Sequence, residues 1–217
     1  MRLKWLGHSA VLLTGTKRVM IDPFLTGNPV VKVEPEEREG LDYIAVTHDH
    51  RDHLGDAEVL AKANTCPVVA VDDLAVSLQK RGVEVIGMNI GGRVGLNGVS
   101  FTMVQAVHSS SLGVPVGFIV EMDGIRVYHA GDTALFSEMS LIGERYRPTV
   151  LLLPIDGRYN MDIIDAVRAV ELIKPSLAIP FHYNTWPSVA ADPWEFKRLA
   201  EGISPVTVLS PGEEIVL

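Results

Sequence analysis

Residues 46–56 read VTHDHRDHLGD, and three histidines and two aspartates crowd into the six positions from His48 to His53. Two readings compete: a solvated histidine-rich loop, or half of a metal centre. The segment before it, LDYIAVT (residues 41–47), is a nearly continuous apolar run of strand length, as expected of a strand buried on both faces. The polar cluster therefore sits where that strand runs out.

The same arrangement recurs three times. FTMVQAV precedes HSSS, IRVYHA precedes GDT, and LAIPF precedes HYNTWP, so apolar strands deliver His108, Asp132 and His182 to their carboxyl ends. Strand ends are where α/β folds place their active sites. Imidazole together with carboxylate suits zinc and neighbouring divalent ions, whereas an all-oxygen set points to magnesium or calcium. His48 and His50 are two apart, so an extended segment turns both to one side. Asp52 and His53 follow a change of direction and can address a second ion, and a metal pair about 3.5–4 Å apart needs roughly this many ligands.

Around this pattern the chain reads as one α/β domain spanning residues 1–217. LKWL, AVLLT and RVMIDP, separated by turn-prone GHS and TGTK, form an antiparallel meander. LGDAEVLAKAN (helix), PVVAV (strand), DDLAVSLQKRG (a helix with an Asp cap and Gly stop) and VEVIGM (strand) follow. The second half repeats the theme: strands VSFTMVQAVH, GFIVEM and IRVYHAGD, then helix TALFSEMSLIG, strand TVLLLPI, helix MDIIDAVRAVELIK, strand SLAIPFH, helix DPWEFKRLAEG and a closing VTVLSPGEEIVL. Meanders followed by βα units in each half imply two packed sheets with helices outside.

Bulk properties narrow the function. With 47% hydrophobic and 21% charged residues the composition is that of a globular protein, and a net charge of −8 argues against nucleic acid or an anionic membrane as partner. The single cysteine, Cys66, admits no internal disulfide and reads as a buried small hydrophobe. No apolar run approaches the ~20 residues that span a bilayer, and Gly7, His8 and Ser9 interrupt the leader-like N-terminus, so the expected location is cytoplasmic.

THDHRDHLGD, HSS, HAGDT and PFHYNT, in that order, resemble the motifs of the metallo-β-lactamase superfamily. WLGHSAV, IDPFLTGNP, HAGDTALF and HYNTWP are similar to its small metal-dependent hydrolase branch, related to the L-ascorbate-6-phosphate lactonases. The resemblance implies a four-layer αβ/βα sandwich with a dinuclear site at one edge of two mixed sheets. By position, His48, His50 and His108 resemble ligands of a first ion, Asp52, His53 and His182 those of a second, and Asp132 the bridging carboxylate. It implies two divalent ions, zinc with manganese or iron as alternatives, and a metal-bridging hydroxide that attacks an ester, lactone, thioester, amide or phosphoester bond of a small molecule. The alternatives are a metal-dependent nuclease or phosphodiesterase, and a di-iron redox protein of the same fold. Relatives of this kind are often homo-oligomers, and no seam for self-association is legible. Two departures stand out: Arg51 replaces a small residue inside the motif, and LLPIDGRYNM replaces a Gly-rich polar stretch.

The remaining candidates have ordinary readings beside functional ones. His8 is a proton donor or substrate contact, or a turn histidine bonded to backbone. Asp22 orients the motif loop or a ligand histidine, or merely starts a turn before Pro23. His129 reads as packed behind the site. Asn184 donates to a developing oxyanion, or closes an Asx turn. With Asp52 accepting the proton of the attacking water, the expected catalytic set is Asp52, His8 and Asn184. Tyr183 and Trp186 are cleft wall or plain packing, and Ser109 to Ser111 an anion contact of lower weight.

Overall fold

The computed structural model of the chain describes residues 1–33 and 35–217. In chain order the strands and helices are β1 (Arg2–Gly7), β2 (Ala10–Thr14), β3 (Arg18–Ile21), β4 (Tyr43–Ala45), α1 (Arg51–Leu54), α2 (Ala57–Asn64), β5 (Val68–Val71), α3 (Asp72–Gln79), β6 (Val85–Met88), β7 (Arg93–Leu96), β8 (Val99–Gln105), β9 (Val116–Met122), β10 (Ile125–His129), α4 (Met139–Tyr146), β11 (Val150–Pro154), α5 (Ile163–Ile173), β12 (Leu177–Phe181), α6 (Pro193–Ala200) and β13 (Glu214–Val216).

They form two mixed sheets, ordered β13-β1-β2-β3-β4-β5-β6 and β12-β11-β10-β9-β8-β7. Both follow one recipe. In the first sheet, antiparallel pairing runs from β13 to β3 and parallel pairing from β3 to β6. In the second, pairing is antiparallel from β7 to β10 and parallel from β10 to β12. The parallel strands are apolar on both faces, as helix-covered strands must be: every residue of VVAV in β5 and VLLLP in β11 is buried. Side chains from both sheets join in one continuous core, and each fully buried Val, Leu or Phe stabilises it by about 1.5–3 kcal/mol. This is the α/β sandwich that the motifs imply.

Several local expectations change. α4 begins only at Met139, because TALF is tied elsewhere: Thr133 Oγ1 accepts from Val107 N at 3.0 Å, and Ala134 N donates to Val107 O at 2.9 Å. α3 has no side-chain cap; Asp72 and Asp73 lie inside its first turn instead. The real caps are Asp162, accepting from Asp165 N at 2.8 Å, and Asp192, accepting from Trp194 N at 2.9 Å before Pro193, each worth about 1 kcal/mol. The closing segment supplies one short strand, β13, while Val206 makes only an isolated bridge to Ala178. The short strand β7 was not expected; its exposed Arg93 and Gly95 hide the period of a strand at a sheet edge.

What this fold does for chemistry is bring strand ends together. β3, β4, β10, β11 and β12 end just before Asp22, Thr47, Asp132, Asp156 and His182 respectively. The approach is close enough to dictate glycine at two turns. A Cβ on Gly131 would lie 2.7 Å from Val116 O, and one on Gly55 would lie 2.3 Å from Pro23 O; both residues also have positive φ, 65° and 43°.

Candidate metal centre

Eight ligand-type side chains converge at these strand ends in two groups: His48, His50, His108 and Asp132, and His8, Asp52, His53 and His182. Within each group one donor atom per residue lies within 4.8 Å of the others. All seven residues expected as metal ligands are present. The difference from the expectation is His8, which stands inside the second group rather than beside it.

Asp132 joins the groups. Its Oδ1 lies 3.2 Å from His53 Nε2, and its Oδ2 lies 3.3 Å from His182 Nε2 and 3.5 Å from His108 Nε2. Three buried atoms here, His53 Nε2, His182 Nε2 and Asp132 Oδ1, have no hydrogen-bond partner among the described residues. In folded proteins the great majority of buried polar groups are paired. Orphaned imidazole nitrogens facing a carboxylate fit a divalent cation such as zinc, manganese or iron.

The second group is braced from behind. His53 Nδ1 donates to Asp22 Oδ2 at 2.7 Å, and His182 Nδ1 to Asp156 Oδ2 at 3.0 Å. Each bond fixes the ring orientation and leaves Nε2 aimed at Asp132. Asp22 also accepts from Thr47 N at 2.8 Å and Thr47 Oγ1 at 2.7 Å, so it orients both the motif loop and His53. Asp156 is held by Asn160 Nδ2 at 2.7 Å and by Tyr159 N at 2.8 Å.

His8 is fully buried between Thr185 Oγ1, 2.8 Å from Nδ1, and Asp52 Oδ2, 3.1 Å from Nε2. Its carbonyl accepts from Trp5 Nε1 at 2.8 Å and from His182 N at 3.1 Å, locking two turns together. His8, Asp22 and His182 all take left-handed φ, 57°, 47° and 57°. That conformation costs non-glycine residues about 1–3 kcal/mol and persists where surrounding contacts impose it, most often at functional sites.

The electrostatics follow from burial and proximity. Burial, with His182 close by, pushes His8 down to about 4, so its ring is neutral at pH 7. Burial, with His53 beside it, lowers His48 to about 3, and burial also lowers His108. His182 is raised to about 9: burial opposes its charge, but Asp132 and Asp156 outweigh it. His53 rises well above the usual histidine range for the same reason, through Asp132 and Asp22. Asp132 and Asp52 are held below the ordinary carboxylate range despite burial, the first by His182 and His53, the second by His8 and His53.

The first group is looser. His48 Nε2 and His50 Nδ1 face each other at 2.9 Å, and His50 Nε2 has only Ser109 Oγ at 3.5 Å behind it. The serine loop braces the motif rather than waiting for an anion: Asp49 accepts from Ser110 Oγ and Ser111 N, both at 2.9 Å. His129 packs behind the site, donating from Nε2 to Ser9 O at 2.9 Å.

Asn184 needs correction as an oxyanion donor. It is exposed, its Nδ2 donates to Ala191 O at 3.0 Å and its Oδ1 accepts from Ala191 N at 3.1 Å, so both amide atoms close its own loop. Conversely, Thr47, Asp49, Asp156 and Thr185 contact the site and were not singled out in the sequence. Asp156 ends the apolar run LLLPI, the same signature that marked Asp132, and was legible there. Thr47 likewise ends the apolar run LDYIAVT and Asp49 stands inside the motif itself, whereas Thr185 carries no such mark.

Comparison with known proteins agrees with this geometry. Residues 17–183 match the family model of the beta-lactamase superfamily domain. The chain is 50% identical over 226 residues to a UPF0173 metal-dependent hydrolase of Archaeoglobus fulgidus, covering 98% of this chain and 97% of the relative. It is 47% identical over 224 residues to one of Pyrococcus horikoshii, covering 100% and 99%. Among solved structures it is similar to Igni18, a metallo hydrolase from the hyperthermophilic archaeon Ignicoccus hospitalis, with TM-score 0.93 and 41% identity over 99% of this chain and 97% of that one.

Proposed function

The chain belongs to the beta-lactamase superfamily and is a metal-dependent hydrolase; from that premise we propose that it holds two divalent ions, zinc in the first instance, and hydrolyses an ester, lactone, thioester, amide or phosphoester bond of a small molecule. The observation that carries this reading is the pair of donor groups meeting at Asp132, with orphaned nitrogens of His53 and His182 aimed at it. His48, His50 and His108 would hold one ion and Asp52, His53 and His182 the other, with Asp132 between them. Divalent ions held there would supply a water of lowered pKa and polarise the bond under attack.

The chain's own residues do the rest. Asp22 and Asp156 keep the Nδ1 protons of His53 and His182 away from the cleft, so that Nε2 presents a lone pair. Asp52, ionised at neutral pH, is the acceptor for the proton of the attacking water. His8, neutral and fixed by Thr185, meets Asp52 Oδ2 from Nε2 and holds that carboxylate in place, and the proton that Asp52 takes from the water is the one it can return to the leaving atom. The lactone in this set of substrates rests on the motif resemblance alone, and the net charge of −8 speaks for a small molecule over a nucleic acid. No described helix is long and apolar enough to cross a membrane, and with its lone buried thiol the protein fits a cytoplasmic site of action.

Elemental analysis of the purified protein, followed by turnover of ester, lactone, thioester and phosphodiester probes, tests the reading. The expected result is about two transition-metal ions per chain and one bond class cleaved, with the two-ion stoichiometry and turnover lost together in His48→Ala. Turnover that survives full chelation would overturn it.

A further inference from the structure

Arg51, the unusual residue of the motif, lies at the mouth of the centre. It lines a cleft of about 250 Å³ together with Phe24, Gly27, Asp52 and Trp186. The opening is contiguous with the second donor group, because Asp52 belongs to both. Phe24 and Trp186 form an aromatic wall, ring centroids 5.9 Å apart, and both lie against the His8 ring at 5.8 and 5.1 Å. Above this apolar wall the Arg51 side chain is exposed, and among the described residues no hydrogen bond or ion pair engages its guanidinium. The neighbouring carboxylates are already used: Asp52 Oδ2 faces His8, and Asp56 Oδ2 accepts from Leu25 N and Thr26 N at 3.0 and 2.7 Å.

We propose that this cleft is the substrate subsite and that it selects anionic substrates: Arg51 binds a carboxylate or phosphate oxyanion, and Phe24 and Trp186 hold a small apolar or planar body that places the scissile bond at Asp52. The proposal rests on the hydrolase reading above and gives it a substrate class. The physical reasons are three. A guanidinium offers a planar fork of donors that matches an oxyanion in bidentate fashion. A protein of net charge −8 repels anions at long range, so an anionic substrate needs a local cation of this kind. The cleft lies just below the usual 300–1,000 Å³ of small-molecule pockets and has their composition, apolar walls with one or two placed polar groups.

Isothermal titration of the metal-loaded protein with benzoate, phenylphosphonate and the neutral isostere benzamide tests this. Both anions are expected to bind more tightly than benzamide, and the tighter of the two identifies carboxylate or phosphate as the preferred group. Arg51→Gln should weaken both anions by about tenfold or more, leave benzamide within about twofold, and leave metal content unchanged. Arg51→Lys should recover part of the loss, since it restores the charge without the fork. Trp186→Ala should weaken all three ligands together. Anion affinity that survives Arg51→Gln, including anions that bind only through the ions and vanish on chelation, overturns the proposal, as does failure of both anions to outbind benzamide. These heats do not depend on turnover. A protein that binds the anions through Arg51 but hydrolyses nothing would sink the hydrolase reading and leave the subsite standing.

Discussion

His53 and His182 each have a carboxylate behind the ring, at 2.7 and 3.0 Å, whereas His50 has a serine hydroxyl at 3.5 Å and His108 is only half-buried. The two donor groups share Asp132 but differ in how firmly their own atoms are held. In the second, the turns that carry His8 and His182 are joined by the bond from His182 N to His8 O, and the Nδ1 protons of His53 and His182 have fixed acceptors. In the first, His50 and His108 stand on loops at the solvent edge. Carboxylate support fixes tautomer and orientation and raises ligand basicity. The second group should therefore be the high-affinity position and the first the exchangeable one.

Removing the shared residue breaks the comparison outright. Asp132→Ala should release metal from both groups and reduce turnover to background, measured by elemental analysis and by whichever probe substrate the parent cleaves; full activity in this variant would sink the mechanism. Breaking one side only is the sharper test. Asp22→Asn and Asp156→Asn should each weaken metal binding about 10–100-fold, read by competition with a chromophoric chelator. Ser109→Ala, behind His50, should change it by less than about threefold on the same scale, because a 3.5 Å contact is a weak bond at best. Equal losses on the two sides would erase the distinction.

The same contrast shows what a sequence can and cannot reveal. The donors were legible because each ends an apolar strand, and a polar ligand-type residue at such a point has few structural reasons to be there. The alternating blocks of meander and βα unit likewise made the sandwich legible. The supporting partners were harder. Thr185 reaches His8 across 177 positions, and nothing local distinguishes its hydroxyl from any other. Asn184 is ambiguous in the sequence because an Asx-type loop closure and an oxyanion contact call for the same residue. The start of α4 was misplaced because the contacts that hold Thr133 and Ala134 out of the helix come from Val107, a residue remote in sequence.

Protonation gives the next, smaller handle on the comparison. In the chelated protein, His182 is raised to about 9 and His48 lowered to about 3. A raised histidine contributes stability that is complete below its unfolded value near 6.5 and lost as pH climbs through 9. A depressed one contributes stability that is complete above 6.5 and lost as pH falls toward 3. Thermal unfolding of the metal-free protein should thus peak near neutrality, with the alkaline fall belonging to the second group and the acid fall including the first. Asp156→Asn should remove part of the alkaline limb and spare the acid one. A profile that Asp156→Asn leaves flat or unchanged on the alkaline side contradicts the assignment of Asp156 to His182.

The smallest effect is expected two residues beyond His182. Asn184 has φ 55° and both amide atoms bonded to Ala191. Asn184→Gly keeps the backbone free to adopt the left-handed turn while deleting the two side-chain bonds, so it separates loop closure from chemistry. Each lost bond costs about 0.5–1.5 kcal/mol, partly offset by relief of the conformational cost. The net effect should be a fall in Tm of a few degrees for a chain of this length, with kcat within about twofold of the parent. A drop in kcat of a hundredfold at unchanged metal content would mean that the amide leaves Ala191 and meets the substrate. The second group would then depend on an exposed loop as the first does, and the contrast in how firmly the two groups are held would no longer stand.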